Sequence, residues 1–563
     1  MILNRLLPGA FFAALALTLV STPACFAGPE KAPERDAAAS TSAAAKGDPL
    51  LEALQAELDR SISKLKMDKV EAPYYIEYRV SDVEDFSAEA AFGAIRLSDK
   101  SHVRVLRVVV RIGNYKQDSY YNQGVGSASM LPLENDPIAL RRQIWLITDD
   151  AYKNAADAYA EKLSALKQLS VDPNPVDDFS HAPVVSIVEE PVKLKVDQEQ
   201  WNKTLEDVTK LYRDYPEIQL VSAQCRFNSV NDYFVNSEGT VVRQGRTSAT
   251  VTLSGSTQAD DGMRLNRNPF WTEMKPEDLP SREELVKQSK QMLDTLKALG
   301  AAPTVEESYR GPVLFDPDAA DDIVASLLGA NVVGRKPQPG RPNRTIGAFA
   351  TSYKTRVLPK FATLVDDPTM SKFAGKTLVG SYDVDSEGVK AQPVTLIKEG
   401  MLENYLTSRQ PIRDFPTSNG HGRATPGGVP VPSVGVLILK SSEPQSASAL
   451  LDSLKHMASE ATKPYAYRVG TLGPGNAPRL LYRVYVNDGH EELVRGATFN
   501  ELDVRTLRND LSAIGDDALV SNRAVGVPQT IISPSLLFDE LEVKRADLAK
   551  EKLPEYPAPP ITK

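Results

Sequence analysis

Four residues, Asn236-Ser237-Glu238-Gly239, stand between segments that alternate apolar and polar side chains, IQLVSAQCRF and DYFV before them and TVVRQ after. A turn this short sends the chain back beside itself. The flanking segments therefore pair as an antiparallel hairpin with one face to bury. The next segment, TSATVTLSGS, continues the pattern, and YYIEYRV and VRVLRVVVRIG add two earlier strands. Helices interrupt them. Asp48-Pro49 is an N-cap followed by proline at the first helical position, and Leu50, Leu51, Leu54, Leu58, Ile62 and Leu65 recur at helical spacing. A long helix is expected over 137–167 and another near 198–212. Ser281 and Glu284 form a capping box for a helix that ends at Leu299-Gly300.

Residues 301–308 read as a joint. Beyond it strands dominate: VLPKFATLVD, KTLVGSYDV, QPVTLIKEG, MLENYLTSR, VGVLILK, RLLYRVYVNDG and EELVRGATF. A helix of small residues is expected after the strand GPVLF at 311–315, and two more near 446–460 and 503–513. Strand and helix do not alternate strictly, so the class is α+β, with an N-terminal domain over 48–300 and a β-rich one over 301–544. A polar, Pro-rich tail covers 545–563.

No disulfide can hold this fold once the start of the chain is removed. Arg5 followed by LLPGAFFAALALTLV and then Ala24-Cys25-Phe26-Ala27 has the form of a secretory signal over 1–27. Residues 28–47 are rich in Ala, Ser, Pro and charge and are expected to be a flexible linker. Cleavage after Ala27 leaves Cys225 as the one thiol of the 563-residue chain. Cys225 sits in an apolar strand and reads as a buried small hydrophobe. A rival reading takes Thr22-Pro23-Ala24-Cys25 as a weak lipobox with a lipid on Cys25. Both readings place the folded part outside the cytoplasm, periplasmic or extracellular. The formal net charge of −9 argues against a nucleic-acid partner, which requires a basic face.

Metal and nucleophile motifs are sparse. His102, His181, His421, His456 and His490 are never three to five residues apart, so no helix presents a paired-histidine face. Asp383-Val384-Asp385-Ser386-Glu387-Gly388 opens like a calcium loop, but Val394 stands where the twelfth-position Glu is required, and a turn between strands is the better reading. No Gly-x-Ser-x-Gly elbow occurs. Ser418-Asn419-Gly420-His421-Gly422-Arg423 gathers an amide, an imidazole and a guanidinium between glycines. It suits either peptide capture or an exposed mobile loop.

These pieces, in this order, resemble the TldD/PmbA family, whose members are sometimes called modulators of DNA gyrase. The resemblance runs from about Ile218 to Asp517. It rests on NSEGT at 236–240, GPVLF at 311–315, LVDDPT at 364–369, DSEGVKAQPVTLIKEGMLENYLTSR at 385–409, SNGHGR at 418–423 and the closing ELVRGATF…LRNDLSAIGDD. It implies two domains, the second a strongly curved, barrel-like sheet, and kinship with metallopeptidases. In the catalytic half of the family a His-Glu-x-x-x-His helix follows the GPV strand, and a Cys near a Gly-rich turn completes a zinc site. Here those positions are Ala325, Ser326 and Ala330, and the turn GTLGPGN at 470–476 has no Cys. The resemblance thus implies a zinc-free, TldE/PmbA-like member, in effect a pseudo-protease without cofactor. It would act in proteolysis by binding unfolded peptide, a TldD-like catalytic partner or its own copies. Asn236, Ser237, Gly239, Asn419, His421 and Arg423 are the candidate peptide contacts. The alternative is an active metallopeptidase with a displaced metal site, built on His421 with Asp383, Asp385 or Glu387.

Overall fold

The structure, a computed structural model, describes residues 46–121, 126–169, 175–337, 343–547, 551–556 and 559. The proposed signal segment, most of the linker and Cys25 lie outside the described residues.

The N-terminal half is one sheet, antiparallel except at one short parallel edge strand, covered by helices on a single face. The chain enters through α1 (Pro49–Lys64), whose N-cap Asp48 accepts the backbone N–H groups of Leu50 and Leu51. Four long strands follow: β1 (Tyr75–Ala91), β2 (Ala94–Arg111), β5 (Leu220–Asn236) and β6 (Val241–Gln258). With β3 (Ser127–Met130) and β4 (Ser186–Val188) the order is β3-β2-β1-β5-β6-β4. The short β7 (Arg264–Arg267) and β8 (Phe270–Glu273) also pair with β6.

Period-two alternation explains where the helices lie. The even-numbered residues of β1 all face the helical layer. Ile76, Tyr78 and Val80 pack with α1 and α2 (Pro137–Leu166). Phe86, Ala88 and Ala90 pack with α3 (Gln198–Lys210) and α4 (Arg282–Ala301). The odd-numbered Tyr75, Glu77, Arg79 and Ser81 point the other way and are nevertheless buried, because the C-terminal half covers them. Cys225, also buried, has its thiol pKa pushed up to about 12 by desolvation.

In the C-terminal half the strands divide between two larger sheets. One contains β9 (Tyr309–Phe315), β18 (Tyr465–Gly473), β19 (Ala477–Tyr485), β20 (Glu491–Val494), β21 (Ala497–Phe499), β22 (Leu511–Ile514) and β25 (Leu536–Arg545). The other contains β10 (Ala362–Asp366), β13 (Val394–Lys398), β14 (Met401–Leu402), β17 (Val436–Ser441), β23 (Leu519–Arg523) and β24 (Gln529–Ser533), while β11 (Lys372–Phe373) with β12 (Lys376–Thr377) and β15 (Gly422–Arg423) with β16 (Val431–Pro432) form two small hairpin pairs. One core joins them: Val313 and Phe315 pack in the same cluster as Leu364, Leu437, Ile531 and Phe538. Leu314 points to the opposite side, where Leu450 and Leu454 of α6 (Ala447–Glu460) cover it.

The two-domain α+β expectation thus meets a mixed α/β structure in which the sheets of the two halves share no strand. The barrel-like description is not confirmed. Among the described residues no sheet closes on itself, because the strands split between two sheets that each keep free edges. A second difference concerns 503–513. The helix there is only Val504–Asn509, and the apolar Leu511–Ile514 pairs with β25 instead. No helix of the described residues is long and apolar enough to cross a membrane.

Asp48 caps α1 and also pairs with Arg243 on β6. Replacing Asp48 with Ala removes both contacts, so chemical denaturation is expected to show a loss of about 1–3 kcal/mol. A variant within about 0.3 kcal/mol of wild type, below the smallest effect of a lost cap, would show that neither contact matters.

Candidate functional site

The GPVLF strand β9 runs through Asp316 into a short helix, α5 (Pro317–Ile323), which continues as a π-helical turn over Val324–Gly329. The Ala330 N–H donates to the Ala325 carbonyl at 3.1 Å, an i to i−5 bond. In an α-helix, positions five apart point about 140° away from each other (3.6 residues per turn). A wider π turn returns them nearly to register, and such turns occur frequently at functional sites. The backbone thus aligns the two positions at which the His-x-x-x-x-His spacing would put its ligands. The side chains there are methyl groups. Ala325 is half-buried against the core, Ala330 is exposed, and Ser326 is exposed with its hydroxyl bonded back to the Asp322 carbonyl at 2.6 Å.

The Gly-rich stretch 470–476 is the end of β18 and the hairpin turn to β19, where Gly475 and Asn476 take left-handed backbone angles. It carries no thiol or imidazole. The residues present do not fit zinc: a methyl and a hydroxyl bonded to its own helix supply no soft or imidazole donor. Among the described residues no group of three His, Cys, Asp or Glu side chains is arranged to hold a metal ion.

The other sequence candidates converge elsewhere, on the seam where the C-terminal half covers the odd-numbered face of β1. Three turns meet there. The NSEGT hairpin is held by Asn236, whose side-chain oxygen accepts the N–H groups of Glu238 and Thr240. The DSEG turn presses Gly388, at φ +77°, against Phe234 and Thr240; a Cβ there would lie 2.6 Å from the Phe234 ring. The SNGHGR segment packs on the DSEG turn, with the Gly422 N–H donating to Asp385 at 2.8 Å.

SNGHGR is therefore not an exposed loop. His421 is fully buried. Its Nδ1 lies 3.0 Å from both the backbone and side-chain oxygens of Asn419, and its Nε2 lies 3.2 Å from Asp366. Arg423 donates to the carbonyls of Val434 and Pro528 and stacks over Tyr382 at 4.4 Å. A peptide would reach His421 or Arg423 only by displacing these partners. Of the six proposed contacts, Ser237, Gly239 and Asn419 keep part of their surface open.

Three residues that the sequence analysis did not single out organise the seam. Arg409, fully buried, donates to the Ser180 carbonyl and to Glu238, and its guanidinium lies 4.0 Å from the Phe179 ring. Arg79 reaches from β1 to the carbonyls of Ser386 and Gly428. Asp366 accepts the N–H groups of Gly435 and Val436. Asp366 and Arg409 do lie within the LVDDPT and LTSR stretches, but nothing in their spacing predicts burial.

Asp385 and Glu387 carry the strongest electrostatic tension. Asp385 accepts N–H groups from Glu387, Val389 and Gly422, yet burial raises its pKa to about 6. Glu387 accepts the Arg409 N–H at 2.6 Å. Burial and the charge of Asp385 push it up to about 8, against the pull of Arg409. Glu77 adds to the repulsion. Two carboxylates this close lose protons as a pair, so the neutral form of one is favoured. Both native pKa values lie above their unfolded values. The stability that the neutral forms contribute is complete below about pH 4 and is lost as the pH rises through about 6 and about 8.

Known proteins are similar to this chain in sequence over part of its length and in overall fold. Residues 308–545 match the model of the PmbA/TldA metallopeptidase C-terminal domain. Over 130 residues the chain is 27% identical to a metalloprotease of Methanocaldococcus jannaschii, covering 23% of this chain and 26% of that protein. Over 213 residues it is 23% identical to a metalloprotease of Methanothermobacter thermautotrophicus, covering 37% and 43%. The chain therefore matches less than half the length of these relatives. In shape, a Thermotoga maritima protein described as a modulator of a DNA gyrase superposes with a TM-score of 0.60 at 16% identity, covering 87% of this chain and all of that one. TldE from Thermococcus kodakarensis superposes at 0.54 with 14% identity, covering 84% and 96%.

Thermal unfolding across pH tests the buried pair. The melting temperature is expected to fall by several degrees between pH 5.5 and 8.5, and Glu387→Gln is expected to flatten that fall. An unchanged pH profile in the variant would remove Glu387 from the account.

Proposed function

From the premise that this chain belongs to the TldD/PmbA family, we propose that it is an exported, zinc-free member. In this reading it resembles TldE and acts in proteolysis by binding unfolded peptide or a catalytic TldD-type partner. One observation carries the proposal: the π turn aligns positions 325 and 330 as a metal helix requires, and both positions are alanine. With Ser326 in the place of the glutamate, the turn has neither ligands nor a general base to polarise water.

Backbone recognition remains within reach of such a scaffold. The two C-terminal sheets leave β14, β23 and β20 at edges, and an extended chain or a partner's strand can add to an edge through main-chain hydrogen bonds. Enclosure of peptide is accordingly assigned to an assembled oligomer, in which a partner would close edges that the single chain leaves free. Ser237, Gly239 and Asn419 are the peptide contacts this reading retains. Export rests on the segment 1–27, and a lipid on Cys25 is the alternative mode of attachment. The gyrase name of a structural relative finds no physical support in a chain that is acidic and, in this reading, exported.

Metal analysis of the purified chain is expected to find zinc far below one equivalent. Stoichiometric, tightly bound zinc would overturn the zinc-free reading in favour of a displaced site around His421. Hydrolysis of casein is expected to be absent from the chain alone and to appear, or to change severalfold, only when a TldD-type partner is added. Chelator-sensitive activity of the chain alone would instead establish an active peptidase.

A further inference from the structure

Arg267 and Arg479 reach the same short stretch of β18, at the turn where catalytic relatives are expected to carry a metal ligand. Arg267, on β7 of the N-terminal half, crosses to the C-terminal half and donates to the Thr471 hydroxyl at 2.6 Å. Its Nε is buried and has no hydrogen-bond partner. Arg479, on β19, lies across Gly473, where an added Cβ would sit 2.6 Å from its Nε. Among the described residues Arg479 makes no ion pair and no hydrogen bond.

The surrounding charges leave this pair under-neutralised. Arg468 is committed to Asp316 and Glu491 at 2.8 Å each. The exposed Asp318 and the charge of Arg479 act on Arg267 in opposite senses. Burial lowers the pKa of Arg267, and the Arg479 charge adds to that lowering. Tyr482 stands beside them, 3.6 Å from where a Gly470 Cβ would be, and its hydroxyl makes no hydrogen bond among the described residues. Two forked guanidiniums and a phenol O–H form the donor set that holds a carboxylate.

We infer that Arg267, Arg479 and Tyr482 form a carboxylate-binding site for an extended peptide lying along Thr471–Gly473. The inference rests on the peptide-binding reading above and names the group recognised. Asp318 beside the pair disfavours multiply charged anions such as nucleic acid, and the chain's net charge of −9 disfavours them further. A terminal carboxylate and an acidic side chain share this chemistry.

Calorimetric titration of the full chain separates these sources. Three acetylated, unstructured peptides are used: one with a free C-terminal carboxylate, the same sequence as its amide, and the amide with one internal Glu. The free acid is expected to bind about tenfold tighter than the plain amide, with the preference lost in Arg479→Gln. Because Arg479 bonds to nothing, that variant is expected to keep the wild-type melting temperature. If the Glu peptide matches the free acid and both lose affinity in the variant, the site stands with a side chain as its source. Equal binding of all three peptides, or an unchanged preference in Arg479→Gln, overturns the site while leaving peptide binding intact. If no peptide binds, the peptide-binding reading fails, and propionate decides the site: a propionate-dependent rise in melting temperature that Arg479→Gln abolishes keeps it, and no rise overturns it.

Discussion

Everything else in this molecule depends on how charge is taken out of water at the seam between its halves. Arg79 on β1, Arg409 before the SNGHGR segment, and the pair Asp385 and Glu387 are all buried there. Isolated, any one of them would cost several kcal/mol to desolvate. Together they are held by carbonyls, backbone N–H groups and each other. Arg409 alone bridges Ser180, Glu238 and the Glu387 neighbourhood. Breaking one contact strands another charge, so this polar network fixes the relative position of the halves together with apolar contacts such as Phe234 and Val242 with Val384.

That arrangement accounts for glycines that would otherwise look like loop filler. At Gly388 the DSEG turn must come within contact distance of Phe234 at a positive φ, and at Gly422 a Cβ would strike the Glu387 carboxylate. The glycines therefore serve close packing of backbone against buried charge, and the SNGHGR segment becomes an interior element.

The π turn shows the complementary case, in which a local backbone feature remains although its side chains cannot perform the chemistry it suits. The i to i−5 bond at Ala325 and Ala330 depends on the main chain and on packing of α5 against β18, neither of which needs imidazoles. Aligned backbone and absent ligands are therefore compatible. At the β18–β19 turn the donors on hand are guanidiniums, which suit carboxylates and not metal ions.

Much of the architecture was legible in the residues themselves. The hairpin at Asn236–Gly239, the Asp48 cap and the 137–166 helix follow from local rules of turn geometry, capping and periodicity, which need no distant partner. That Ala325, Ser326 and Ala330 offer no imidazole or carboxylate was equally readable, because identity at a position is a property of the sequence. Tertiary structure alone decided that His421 and Arg423 are interior, that Leu511–Ile514 is a strand, that most C-terminal strands divide between two larger sheets with free edges, and that Arg267 meets the stretch beside Arg479. Each of these depends on which segments meet across hundreds of residues. Burial of a polar side chain is set by the partners that cover it, and local spacing carries no record of them.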